Sequence, residues 1–228
     1  MKSPFIKIQS ILIGGIVLQL VSTVGCGSSG ADIDYVALGA SDANGVGAVA
    51  PFKGYVFEIR DTLDEQCHGT DLNNLGIPGA KAGDIQNGEV PVATTINPDL
   101  ITLWTGSNDL VSGDSVEEFE GKLQEILEDL SGTQAQIFIG NLPELELLPK
   151  FAEDPDPDVT AERVLLYNEA IARQAAAVGA TVVDLHSIEK DDSLISDDGF
   201  HPSNDGHHRI AELFLQAITP KFCNAEGF

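Results

Sequence analysis

Ile33-Asp34-Tyr35-Val36-Ala37-Leu38-Gly39-Ala40-Ser41-Asp42-Ala43-Asn44-Gly45 is the stretch on which the reading of the chain turns. A short apolar run, rich in strand-favouring residues, stops at Gly39 and gives way to small and polar residues. The pattern predicts a buried first strand that delivers Ser41 onto a tight loop at its carboxyl end. In open parallel α/β sheets, such loops are where ligands bind. A serine hydroxyl is a weak nucleophile unless a base sits beside it. The candidate base lies near the other end of the chain, in Asp198-Gly199-Phe200-His201-Pro202.

Further along, Pro51 is expected to open a helix running to about Gln66, with Tyr55, Val56, Ile59 and Leu63 as its apolar stripe. A short strand near Asp71 to Leu75 leads to the loop Gly76-Ile77-Pro78-Gly79-Ala80. The next stretch, to about Ile96, is only partly helical in pattern, because Gly88 and Pro91 interrupt it. Asp99 to Thr105 reads as a buried strand ending in Gly106-Ser107-Asn108-Asp109, and Ser115 to Leu130 as an amphipathic helix. Ala135 to Gly140 is expected as a strand and Glu144 to Asp158 as a long acidic connection. A helix from Val159 to Val178, a strand from Ala180 to Leu185 and a last helix from Asn204 to Ile218 follow. Such alternation argues for one parallel sheet covered on both faces.

Residues 1–25 read as a signal peptide: Lys2 and Lys7 precede an apolar run from Ile11 to Val24, short for a membrane span. Val24-Gly25-Cys26 resembles the lipobox of bacterial lipoproteins, which implies acylation of Cys26 and a tether over residues 26–31. Thr23 stands where that pattern has Leu, Val or Ile, so plain secretory cleavage is the alternative. The expected destination is a membrane-anchored lipoprotein, periplasmic or cell-surface, or otherwise a secreted protein. Residues 32–228 suit a single domain. Cys67 and Cys223 remain, an even number in an exported chain, and allow either a disulfide between the first long helix and the tail or two free thiols. A formal net charge of −24 argues against nucleic acid as a partner. Contact with membrane is expected only through the lipid anchor.

Three strand-end loops share a composition of glycine plus a small or polar residue, at Ser41, Gly79 and Asn108. Parallel strands bring such loops to one edge, and the Asp198 to His201 segment can close over it. On these blocks the chain resembles the SGNH (GDSL-type) serine hydrolases, named for Ser, Gly, Asn and His. Ser41 takes the nucleophile's place, Gly79 and Asn108 those of the oxyanion hole, and Asp198 and His201 match the family's Asp-x-x-His. One block departs: Gly39-Ala40-Ser41-Asp42 stands where the usual pattern is Gly-Asp-Ser-Leu, so activity is expected to survive with altered loop hydrogen bonding.

The resemblance implies a three-layer α/β/α flavodoxin-like fold of about five parallel strands in the order 2-1-3-4-5. It implies ester hydrolysis through an acyl-enzyme on Ser41, with His201 as base and Asp198 orienting it. The oxyanion would meet the Gly79 and Ser41 backbone N–H groups and the Asn108 amide. Glycine suits position 79 if the backbone must approach closely. No metal or organic cofactor is required, and the substrate would be a small-molecule or lipid ester. Acyl transfer or thioester hydrolysis would use the same groups. A binding lipoprotein without catalysis is the competing class, and a flavodoxin-like anionic-ligand binder a third, disfavoured by charge.

Rivals within the chain fit less well. Asp197 is one residue off the spacing to His201, His207 and His208 fall inside the last helix, and a structural role suits His186. Cys67-His68 lacks partners at zinc-ligand spacing. Asp154 to Asp158 lacks the glycine of a calcium loop. The α/β-hydrolase elbow Gly-x-Ser-x-Gly fails at Ala43. Glu144 to Asp158 is the candidate substrate-side loop.

Overall fold

The computed structural model describes residues 32–49, 53–67 and 69–223. The signal peptide, Cys26 and its tether, Pro51 and His68 lie outside the described residues. In chain order the elements are β1 (Ile33–Gly39), α1 (Ser41–Asn44), α2 (Tyr55–Gln66), β2 (Thr70–Asn74), α3 (Ala82–Gly88), α4 (Val90–Ile96) and β3 (Leu100–Trp104). They continue as α5 (Ser107–Val111), α6 (Val116–Ser131), β4 (Gln136–Gly140), α7 (Pro149–Glu153), α8 (Ala161–Val178), β5 (Thr181–Val183) and α9 (Asn204–Phe222). The strands form one parallel sheet in the order β2-β1-β3-β4-β5, as expected.

The period-two alternation of the strands explains the layers. Val36, Leu38, Ile101, Leu103, Ile137 and Ile139 point to one face and pack on α3, α4, α6 and α8. Tyr35, Ala37, Leu100, Trp104, Phe138 and Val183 point to the other, under α2 and α9. Because both faces are covered, the central strands read as continuous apolar runs. Helix starts follow from local chemistry. Ser115 accepts from the Glu118 N–H while the Glu118 carboxylate reaches back to Ser115, a capping box at α6. Thr160 caps α8 through the Arg163 N–H.

Several boundaries differ from the sequence pattern. The first long helix begins at Tyr55, after Gly54, rather than at Pro51. The stretch up to Ile96 is two helices, α3 and α4, which meet at Glu89. Pro91 falls in the first turn of α4, where its missing N–H costs nothing. The tight loop expected at Ser41 is the single-turn helix α1. The acidic connection is partly ordered: Leu145–Leu147 form a 3-10 turn and α7 follows, because Leu145 and Phe151 bury into the core. The last helix runs on to Phe222, with Pro220 near its end.

Cys67, just past α2, is bonded to Cys223, just past α9, across a sequence separation of 156 residues. The bridge ties the two helices of one layer at the same end. Cys67→Ser, or reduction of the wild type, is expected to lower unfolding stability by about 2–5 kcal/mol. Thermal unfolding with and without reductant measures this. A variant as stable as the wild type would show that the bridge contributes nothing.

Candidate active site

The site is built at the carboxyl edge of the sheet. In register, Gly39 lies beside Trp104, Trp104 beside Gly140 and Gly140 beside Val183, so the strands end together. Gly39 allows the turn out of β1: its φ is +148°, and a Cβ there would stand 2.5 Å from the Trp104 carbonyl oxygen. Ser41 follows at the start of α1 and is buried.

His201 reaches Ser41 from the loop that precedes α9. Its Nε2 lies 2.9 Å from Ser41 Oγ, across 160 positions of sequence. Its Nδ1 lies 2.6 Å from Asp198 Oδ2. A carboxylate only accepts, so Nδ1 carries the hydrogen and donates, leaving Nε2 to accept from the Ser41 hydroxyl. The other Asp198 oxygen accepts from the Ser196 hydroxyl and from the Phe200 and His201 N–H groups, at 2.8–2.9 Å. Burial works against the charged form of Asp198. The bonds from the His201 ring, the two backbone N–H groups and Ser196 outweigh it and hold the carboxyl well below the usual range. Asp198 therefore stays ionised beside the imidazole.

Two further loops face the same edge. Ile77-Pro78-Gly79-Ala80 forms a turn closed by the Ala80 N–H donating to the Ile77 carbonyl at 3.0 Å. Proline at the second position and Gly79 at φ +84° match a type II turn, which requires positive φ at the third. A Cβ at Gly79 would meet nothing within 4 Å. Its backbone conformation alone therefore calls for glycine. Asn108, in the first turn of α5, donates one amide hydrogen to the Ala80 carbonyl at 2.9 Å. Its side chain is thus tied to the Gly79 turn, and its second amide hydrogen has no partner among the described residues.

Beneath these groups lie carboxylates whose positioning roles the sequence did not announce. Asp109 is buried and accepts from the Ala82 N–H with both oxygens, at 3.0 and 3.2 Å, joining α5 to α3. Burial pushes its carboxyl up to about 6, against the pull of that N–H. Glu89 is 2% exposed and accepts the Gly39 N–H at 2.9 Å. Burial raises its carboxyl to about 7, opposed by the Gly39 and Ile77 backbone groups. Position 40 lacks the usual carboxylate, yet one reaches this corner from the α3–α4 junction. A glutamate between Gly88 and Val90 gives no local sign of that burial.

The rival residues lie elsewhere. His207 is buried, accepting from the Tyr55 N–H at 3.3 Å and donating to the Val46 carbonyl at 3.0 Å; desolvation lowers its pKa. It fastens α9 to the start of α2. His208 pairs with Glu58 on the surface, and His186 bonds the Leu142 carbonyl. Cys67 is spent in the disulfide. Asp158 pairs with Arg163 at 2.9 Å. Pro143, Glu144, Leu145, Leu147, Leu148 and Pro149 line a cavity of about 90 Å³ that adjoins the site, with Asp42 and Ser107 on its wall.

A parallel sheet of this order with a hydrogen-bonded Ser-His-Asp set at its carboxyl edge is the arrangement of a serine hydrolase on a three-layer α/β/α fold. The model of the GDSL-like lipase/acylhydrolase family matches residues 37–209, and the chain belongs to that family. It is a carboxylic ester hydrolase of the SGNH/GDSL type. Solved structures share its fold. A lipase/acylhydrolase from Enterococcus faecalis is 19% identical with a TM-score of 0.68, over 86% of this chain and 100% of that one. An acetylxylan esterase from Geobacillus stearothermophilus is 17% identical at 0.68, over 85% and 97%. A psychrotrophic esterase from Pseudoalteromonas sp. is 15% identical at 0.68, over 83% and 98%. No match was found among curated protein sequences.

Glu89 makes stability depend on pH. Its unfolded pKa is about 4.3, so between that and about 7 the folded chain holds more protons than the unfolded chain. Its contribution is complete below the lower value and is lost as pH rises through the upper. Glu89→Gln keeps an acceptor for the Gly39 N–H without the charge. Denaturant unfolding at about pH 5 and pH 8 is expected to show a smaller decline for this variant than for the wild type. An unchanged decline would place the buried charge elsewhere.

Proposed function

We propose that this protein hydrolyses carboxylic esters through an acyl-enzyme on Ser41. The observation that carries the reading is the unbroken hydrogen-bonded chain from Asp198 through His201 to Ser41. In the first half-reaction His201 Nε2 takes the hydroxyl proton as Ser41 Oγ attacks the acyl carbon. The resulting imidazolium is stabilised by Asp198 and then gives its proton to the departing alcohol. The negative tetrahedral oxygen is met by the Gly79 and Ser41 N–H groups and by the second amide hydrogen of Asn108. Water, deprotonated by His201, attacks the acyl-Ser41 ester in the second half-reaction and releases the acid.

The Pseudoalteromonas esterase was solved inhibited by monoethylphosphonate, which makes a phosphonate the natural probe here. A fluorophosphonate is expected to label Ser41 in the wild type and not in Ser41→Ala, as read by peptide mass mapping. Absence of label from the folded wild type would sink the acyl-enzyme on Ser41. Asn108→Ala is expected to lower kcat by about 10²–10³-fold while Ser41 remains labelled.

Export and anchoring through Cys26 belong to the same proposal, supported by the basic and apolar pattern of residues 1–25 and by the disulfide. Cys26→Ser is expected to move the protein from the membrane to the soluble fraction on cell fractionation. Retention in the membrane would exclude the lipid anchor.

A further inference from the structure

Asp42 stands directly after Ser41, where the usual pattern of the family has leucine. It lines the cavity beside the site, whose wall is otherwise largely apolar: Trp104, Leu145, Leu148, Leu185, Ile188 and Phe200. Its own backbone N–H donates to the carboxylate, and the buried Tyr55 hydroxyl, which has no partner among the described residues, lies within reach of its charge. Glu144, Glu189, Lys190, Asp191, Asp192 and Arg209 also line the cavity. His201, once protonated, favours the ionised form of Asp42 and Asp198 opposes it. Burial outweighs both and pushes the carboxyl up to about 6, so it is ionised at neutral pH and above.

A carboxylate on an apolar wall needs donors. Water can supply them while the cavity is open. A substrate chain that fills the cavity expels that water, and a purely aliphatic chain offers nothing in exchange. The penalty for leaving a charged acceptor unpaired then falls on that substrate's transition state. A chain that brings its own N–H or O–H escapes it. Sites built around such a bond discriminate strongly against the analogue that lacks it.

Resting on the hydrolase reading above, we propose that Asp42 is the specificity-determining residue of this cavity. It selects esters whose chain carries a hydrogen-bond donor, a hydroxyl or an ammonium, where that chain passes the nucleophile. The class is thereby hydroxylated or aminated esters rather than plain aliphatic ones.

The test compares kcat/KM by pH-stat titration at about pH 8, where Asp42 is ionised. The substrates are propyl butanoate, propyl 3-hydroxybutanoate, propyl 3-aminobutanoate and 3-hydroxypropyl butanoate. The second and third place the donor on the acyl part, and the fourth places it on the alcohol. The wild type is expected to favour at least one donor-bearing ester over propyl butanoate by about tenfold or more. Asp42→Leu is expected to shift that ratio by at least about tenfold toward propyl butanoate. Asp42→Asn, nearly isosteric, keeps an acceptor for a hydroxyl but loses the charge that favours ammonium, and so separates the two donors. Fluorophosphonate labelling of Ser41 is run on every variant. Labelled proteins with the same ratios in wild type and Asp42→Leu overturn this inference alone. An unlabelled wild type overturns the hydrolase reading and this inference with it.

Discussion

Parallel pairing obliges every strand to present its carboxyl end at the same edge, and the rest of this molecule follows from that constraint. β1, β3, β4 and β5 end in register, so the chain leaves the sheet repeatedly within one small region. Ser41, Gly79 and Asn108 each sit on the segment that follows one of the first three strands. His201 is not on a strand end, and other contacts hold it. The Ser196 N–H donates to the His201 carbonyl at 2.8 Å, and Ile195 bridges Pro202. Gly206 packs so tightly that a Cβ would come within 2.0 Å of the Leu194 carbonyl oxygen. The loop is thereby fixed to the start of α9, and α9 to the sheet through Phe214 and Ile218.

Groups held in place before a substrate arrives need no reorganisation during reaction, which is where such sites gain most. Here the holding is done largely by polar bonds in a poorly solvated layer. Glu89 grips the end of β1, Asp109 grips the start of α3, and Asn108 grips the Gly79 turn. Each carboxylate costs free energy to bury and recovers part of it through backbone N–H donors. Glu89 recovers it incompletely, since among the described residues its Oε1 has no partner. Its raised carboxyl is the trace of that imbalance.

Much of this was legible in the chain. The apolar run from Ile33 to Leu38 marks a strand covered on both faces because its side chains alternate between two buried layers. Ser115 and Glu118 mark the start of a helix because the reciprocal bonds are local. The four chemistry-bearing blocks are legible because each needs a residue type that few alternatives can replace. The paired α3 and α4 were less clear, since Gly88 and Pro91 weaken the periodicity at the point where the two helices meet. The order within Glu144 to Asp158 escaped the pattern because only Leu145 and Phe151 among many polar neighbours anchor it.

By itself the sequence determined what depends on neighbours in the chain: the alternation of strands and helices, the turn at Pro78-Gly79, and the residues able to do acyl chemistry. Only the tertiary structure decided what depends on distance between remote segments. It set His201 at 2.9 Å from Ser41, closed Cys67 on Cys223, and placed Glu89 under Gly39. It also turned Asp42 from an exception in a motif into a carboxylate on an apolar wall. The physical reason is that hydrogen-bond geometry and desolvation are properties of the packed surroundings. A residue's neighbours along the chain supply few of those surroundings.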